Sequence, residues 1–457
     1  MLAGKSRQKK RMLRAKNSLG VIFFPAYDWA ISATHPEREE RLLYTQDQLR
    51  EEGLFDIEGI SEYKPLVASL EDVERTHFCF PNVESVCTKS HLISAGGAIR
   101  AAQLVMEGEK DKAFALVRPP GHHAMKSVHG SRGFCNINIE AVMIEYIRET
   151  YGPLKIAVVD TDCHHGDGTQ DVYWNDKDVL FISMHQDGRT LYPGSGFPAE
   201  RGGVNAYGKT LNIPLPPNTS DEGFLYAIEN IVLPVLDDFK PDIIINSAGQ
   251  DNHYSDPITN MNFSARGYAK LNELLNPHIA VLEGGYSIQG ALPYVNLGIC
   301  LAMAGIDYGY VAEPDFDPRR YAQTEQVTEY IKALSSELLD GYFASSTPDI
   351  DALVKEQGYD RDGDFIVRAK DVYYDTDGIS ESQIESVLLC PECSGVLRLE
   401  TWSSVNPLSL GVEIPVGACD RCRDIGKKVL EQACNNEKYR FIQSINRRDK
   451  EYMRYGF

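Results

Sequence analysis

No stretch of this sequence approaches the roughly 20 consecutive apolar residues that a membrane-spanning helix needs. The apolar run near the start, LGVIFFPAYDWAISA, is cut by Pro25 and Asp28 before it becomes a secretory h-region. Positive charge is scarce. Lys and Arg number 46 against 66 Asp and Glu, a net charge of −20, which argues against sequence-independent nucleic-acid binding because phosphates demand a positive field. The exception is a basic arm over residues 1–17, with Lys5, Arg7, Lys9, Lys10, Arg11, Arg14 and Lys16, which reads as a solvated tail. A disulfide framework is missing too. Of ten cysteines, four form CPEC and CDRC and the rest are scattered, a pattern that favours a reducing cytoplasm and a metal site. What remains is a 457-residue chain, 43% hydrophobic, with room for one large domain of about 300 residues and a smaller one.

The chain is organised around IAVVDTDCHHGDG, residues 156–168. A β-branched run long enough for a strand buried on both faces stops at Asp160, Asp162, His164, His165 and Asp167. Further strands are expected at Val21–Phe24, Phe114–Val117, Val179–Met184, Thr210–Ile213, Asp242–Asn246 and Ile279–Leu282. Helices are expected at Thr34–Leu42, Ser90–Glu107, Ile139–Tyr151, Ser220–Asp238, Ser264–Leu275 and Thr324–Leu339. This alternation predicts a parallel sheet with helices on both faces. Residues 118–123, 160–167, 185, 249–251 and 283–286 each follow a strand, so they converge on the carboxyl edge of an open sheet. A closed barrel would collect strand ends in the same way.

Extended backbone puts Asp160, Asp162 and His164 on one side of the chain, a donor set suited to a divalent first-row metal such as zinc once a third ligand arrives. SAGQD (247–251) is the natural source of that ligand. Asp162, His164 and Asp251 leave coordination open for water and substrate, whereas the plainer reading has Asp251 capping a loop. His122 and His123 follow a rigid Pro-Pro-Gly turn, and Asp160 and Asp167 stand ready to orient them. In EGGY (283–286), two glycines let Tyr286 swing its hydroxyl toward a developing oxyanion, against the alternative of an ordinary core tyrosine.

Beyond residue 312 the character changes. Residues 313–380 read as a helical and linker segment, with the linker at 345–349, and residues 381–457 as a zinc-ribbon-like module held by Cys390, Cys393, Cys419 and Cys422. That module is a structural clip or a recruiting surface for a protein partner. Arg447 and Arg448 read as a basic tail. DRDGD (360–364) resembles a calcium loop but has Phe365 where glycine is required.

RPPGHHA (118–124), GFCNIN (133–138), VVDTDCHHGDGTQ (158–170), PGSG (193–196), SAGQDNH (247–253) and LEGGY (282–286) together resemble the zinc-dependent histone deacetylase superfamily, with its acetylpolyamine amidohydrolases and acetoin-utilisation proteins. The resemblance implies an arginase-like α/β fold over residues 18–312. It assigns Asp162, His164 and Asp251 to a catalytic zinc, His122 and His123 to the acid/base pair with partners Asp160 and Asp167, and Tyr286 to the oxyanion. It further implies tunnel walls at Gly133, Phe134 and Tyr192, and a potassium site at Asp160, Asp162, His164 and Ser183. Three positions depart from the family pattern. Cys163 replaces an aliphatic residue, Asn136 replaces an apolar one, and Ile258 stands where polyamine-selective members place an acidic gatekeeper.

The expected function is a cytoplasmic zinc amidohydrolase that removes acetyl or another short acyl group from an amine, either acyl-lysine or a small acylated amine. A second, structural zinc is expected in the ribbon. Two alternatives are a dimanganese ureohydrolase of the same fold and a catalytically silent scaffold.

Overall fold

The computed structural model describes residues 13–344 and 349–456. Lys5 to Arg11 of the basic arm and most of the 345–349 linker therefore lie outside the described residues. Eight parallel strands form the main sheet: β1 (Arg14–Phe24), β2 (Glu58–Tyr63), β3 (Lys112–Val117), β4 (Ile156–Asp160), β5 (Val179–Gln186), β6 (Thr210–Leu215), β7 (Ile243–Ser247) and β8 (Ile279–Val281), in spatial order 2-1-3-8-7-4-5-6. The outer strands are β2 and β6, so the sheet is open. Every residue of β3, β4, β5 and β6 is buried, as expected where helices cover both faces.

Register explains why dispersed sequence segments meet. Asp160 at the end of β4 lies beside Ser183 of β5 and beside Ser247 of β7, and Ser247 in turn lies beside Val281 of β8. The loops that leave these strands consequently start abreast along one edge.

The helices Lys89–Met106, Ile139–Tyr151 and Ala265–Leu275 form close to where the sequence predicts them. Residues 34–42 do not form a helix. They run as turns, and a helix starts only at Thr45. Within this segment Glu37 and Arg41 are both completely buried, and the pair is held by partners far along the chain rather than by an apolar face. Ser220–Asp238 is likewise not one regular helix: a π turn at Ile228–Val232 separates Asp221–Ala227 from Leu233–Phe239. Pro234, which has no N–H to donate, sits at the start of the last piece, where a wider turn accommodates it. Arg14 and Lys16 belong to β1 rather than to a free arm.

The rest of the chain builds a seven-stranded sheet: β9 (Asp360–Asp362), β10 (Phe365–Tyr374), β11 (Ile379–Leu388), β12 (Leu397–Ser403), β13 (Ser409–Ile414), β14 (Phe441–Asn446) and β15 (Glu451–Gly456), joined in that order. All neighbours are antiparallel except β13 and β14, which flank the helix Asp420–Cys434. The expected boundary at 381 falls inside β11, and the 360–364 segment is a hairpin limb. This sheet docks firmly on the first. Gln443 binds the backbone of Cys79 and His77, Thr401 meets His129 at 2.9 Å, and the Tyr374 hydroxyl donates to the Ser127 carbonyl. Arg447 is not a tail residue. It is buried between Glu145 and Glu413 and donates to the Arg75 carbonyl, while Arg448 pairs with Asp420.

His77, beneath this junction, donates from Nδ1 to the Met125 carbonyl and accepts the Asn138 N–H at Nε2. Burial pushes its pKa down to about 4, because the charged ring would lose its water. A depressed histidine contributes stability that is complete above the unfolded value near 6.5 and is lost as pH falls through 4. The contribution amounts to roughly 3 kcal/mol. The melting temperature is expected to drop between pH 7.5 and pH 4.5, with a shallower drop in His77→Gln; equal pH dependence in both proteins contradicts this assignment.

Candidate active site

The edge defined by the register carries a cavity of about 290 Å³ whose lining includes His122, His123, Asp162, His164, Tyr192 and Tyr286. At its floor Asp162, His164 and Asp251 offer ligand atoms all within 4.8 Å of one another. His164 Nδ1 lies 3.2 Å from Asp162 Oδ1 and 2.8 Å from Asp251 Oδ2. Burial opposes a charge on this ring, but Asp251 and Asp162 outweigh it and lift the pKa to about 10. A buried nitrogen and two carboxylates that close this tightly on a proton form a donor set equally suited to a divalent cation. Glycine is required around them. A Cβ on Gly249 would stand 2.0 Å from Asp162 Oδ2, and one on Gly284 would stand 2.4 Å from Asp251 Oδ2. Gly284 also donates its N–H to Asp162 at 2.7 Å. The first glycine of EGGY therefore serves close approach to the carboxylates rather than ring mobility.

The tandem histidines stand beside this floor, their ring centroids 4.1 Å apart. His122 Nδ1 meets Asp160 Oδ2 at 3.0 Å and His123 Nδ1 meets Asp167 Oδ1 at 2.7 Å. Each ring is thereby oriented from behind, with Nε2 left for chemistry. Their environments push them apart. Burial opposes charge on His122, yet Asp162, Asp160 and Glu283 prevail and raise it well above the usual range. Burial and the charge of His122 lower His123 to about 3. Two neighbouring rings pushed in opposite directions are electrostatically unequal, an asymmetry that acid/base work can use.

Tyr286 lines the same cavity, its ring edge-on to Phe134 at 5.7 Å and its N–H on Asp256 Oδ2 at 2.7 Å. Gly133, Phe134, Tyr192 and Ile258 form the walls. Gly133 and Phe134 both adopt positive φ, 51° and 71°, and a Cβ on Gly133 would strike the His123 ring at 2.5 Å. A phenylalanine in that region of φ is strained, a cost met at sites where a side chain must be aimed. Asn136 does not line the cavity; its amide donates to the Val86 carbonyl at 2.7 Å. Cys163 is fully buried. His185, with Ser183 Oγ on Nδ1 and the Gly196 carbonyl on Nε2, is satisfied within the core.

Four contributors escaped the sequence reading. Arg41 donates to the Gly285 carbonyl at 2.7 Å and to the Glu283 carbonyl, and Glu37 bridges Arg41 to Arg118, so the buried trio locks the EGGY loop. Arg132 pairs with Asp167 at 2.5 Å and supplies the charge behind His123. Asp375, from the turn between β10 and β11, also lines the cavity. An Arg between Ser131 and Gly133 was the only available hint; nothing in the sequence marks Asp375.

The four ribbon cysteines cluster at the other end of the second sheet, with Cys390 and Cys419 Sγ 3.8 Å apart. That separation matches the edge of a tetrahedron with metal–sulfur bonds of about 2.3 Å. The N–H groups of Glu392 and Gly395 point at the Cys390 and Cys393 sulfurs, each at 3.4 Å. Burial raises the Cys390 thiol, but the N–H groups of Glu392 and Cys393 prevail and bring it to about 7, toward the thiolate a metal needs.

Known proteins resemble this chain over the part that builds the cavity. The Histone deacetylase domain profile matches residues 79–296. A "Probable deacetylase" of Archaeoglobus fulgidus is 47% identical over 325 residues, covering 65% of this chain and 89% of that protein. The chain belongs to the histone deacetylase family. The Bacillus subtilis "Acetoin utilization protein AcuC" is 32% identical, covering 65% of this chain and 84% of that protein. The crystal structure of the HDA15 HD domain shares the fold, with a TM-score of 0.61 at 24% identity over 74% of this chain and 98% of that one. As a histone deacetylase family member the chain is a hydrolase of the deacetylase type, acting on acylated amines. Among the described residues no helix is long and apolar enough to cross a membrane.

Proposed function

We propose that this histone deacetylase family member is a zinc amidohydrolase that releases acetyl or another short acyl group from a primary amine. The observation that carries the reading is the meeting in one cavity of the Asp162–His164–Asp251 set, two carboxylate-backed histidines and the Tyr286 phenol. Zinc held by Asp162, His164 and Asp251 would polarise the acyl carbonyl and acidify a water. The neutral histidine of the pair, His123, receives a proton from the attacking water at Nε2. The oxygen of that water bonds to the carbonyl carbon. His122, protonated, gives its proton to the amine nitrogen as the C–N bond breaks, leaving a carboxylic acid and a free amine; the acid loses its remaining proton to solvent, and proton exchange with solvent returns the pair to its starting state. Tyr286 donates to the oxyanion in between. Asp160 and Asp167 hold the rings and their tautomers, and Arg132 keeps Asp167 ionised. Gly133, Phe134, Tyr192 and Ile258 enclose the acyl chain.

The second zinc belongs at Cys390, Cys393, Cys419 and Cys422, where it clips the second sheet; the CxxC thiols suit a reducing compartment such as the cytoplasm. Potassium at Asp160, Asp162, His164 and Ser183 rests on the family resemblance. Metal content is expected at two zinc per chain, falling to one in Cys390→Ser with deacylase activity reduced far less than metal content. A Cys390→Ser protein that keeps both zinc ions contradicts the ribbon assignment. The substrate test is a side-by-side assay of acetyl-lysine peptides, acetylpolyamines and small acetylated amines. Turnover of at least one with acetate release is expected, and no turnover of any by the zinc-loaded protein overturns the reading.

A further inference from the structure

The turn that joins β10 to β11, residues 375–378, belongs to the second sheet, well beyond the 79–296 match, yet it reaches the mouth of the active-site cavity. Asp375 lines that cavity. Its Oδ1 accepts the Gly133 N–H at 3.0 Å and the Tyr192 hydroxyl at 3.3 Å, so one carboxylate oxygen ties together two walls of the pocket. Two residues on, Asp377 Oδ2 accepts the Ser131 N–H at 2.6 Å. Arg132, between these anchors, donates to the Tyr373 carbonyl at the end of β10. The loop 131–134 is therefore pinned to the second sheet at three points. Oδ2 of Asp375 makes no side-chain hydrogen bond within the described residues, and the residue is exposed at the entrance. The charges around it are the carboxylates Asp377 and Asp167 and the Arg132 guanidinium, which is already paired with Asp167. Three carboxylates thus face one guanidinium, which acts on both Asp167 and Asp375, and the entrance keeps a net negative charge at a point that an amine leaving group would pass.

We propose that the second sheet completes the active site, and that Asp375 is a specificity-determining residue favouring acylated amines whose amine half retains a positive charge beside the entrance. The proposal rests on the deacylase reading above. A carboxylate oxygen free at the rim attracts an ammonium in partly screened solvent, where one charge pair is worth on the order of a tenfold preference. Ile258, the apolar residue that also lines the cavity, cannot supply that charge.

The test compares kcat/KM for two acetylated amines of equal length, one with a terminal ammonium and one with a neutral terminus, in the zinc-loaded full chain and in Asp375→Asn. Asparagine keeps an acceptor oxygen for the Gly133 N–H and removes only the charge. The ammonium-over-neutral ratio is expected to exceed one in the natural protein, to shrink as salt is added, and to fall about tenfold in Asp375→Asn, carried by KM. An unchanged ratio in Asp375→Asn, including a loss shared equally by both substrates, overturns the proposal and leaves Asp375 a structural clamp. A natural protein that hydrolyses neither substrate overturns the deacylase reading itself, and the proposal with it.

Discussion

Tyr286→Phe is expected to lower kcat on the order of a hundredfold or more while leaving substrate affinity nearly unchanged. The substitution removes one oxygen and preserves the ring, so the edge-on contact with Phe134 and the backbone bond from Tyr286 N–H to Asp256 survive. Burial raises the phenol well above its ordinary value, which keeps it protonated at any working pH and therefore a donor. A donor aimed at charge that develops only in the transition state acts on kcat rather than on binding. An ordinary core tyrosine would behave otherwise: its loss would cost about 1 kcal/mol of stability and spare turnover. A variant with near-normal kcat on its best substrate removes Tyr286 from the mechanism.

Asp251→Ala is expected to abolish deacylation, on the order of a thousandfold or more, and to lose one of two metal equivalents. Two remaining ligands, Asp162 and His164, hold a metal poorly against water, and metal-assisted charge stabilisation supplies several kcal/mol of the rate. Asp251 also accepts the Cys163 N–H at 2.7 Å, so alanine leaves a buried donor unpaired and destabilises the loop by about 1–3 kcal/mol. Asp251→Asn separates the two effects, because its amide oxygen still serves Cys163 while its charge is gone. Full metal content and activity in either variant contradicts the ligand assignment.

Much of this site was legible in the sequence because parallel strands buried on both faces leave little freedom. The apolar run Ile156–Val159 sets β4, and the residues that follow it must emerge at the sheet edge beside Ser183 and Ser247. That Asp162, His164 and Asp251 meet beside the tandem histidines was readable for that reason. Residues 34–42 misled for the opposite reason. Their charge density reads as an exposed helix, whereas Glu37 and Arg41 are buried partners for Arg118 and the EGGY carbonyls, 81 and 244 residues away, and no local pattern encodes partners so distant. Arg447 misled in the same way, as a basic residue near the end of the chain that is neutralised by Glu145 and Glu413. Asp375 was invisible because DTDG is an ordinary turn until the docking of two sheets carries it to the cavity.

The most direct test of a metal-dependent deacylase is acetate release from an acetylated amine by the full chain, first stripped with a chelator and then titrated with zinc. Release is expected to be absent in the stripped protein, to return as zinc fills the Asp162–His164–Asp251 set, and never to return in Asp251→Ala. Equal acetate release before and after stripping, or recovery in Asp251→Ala, would contradict the account.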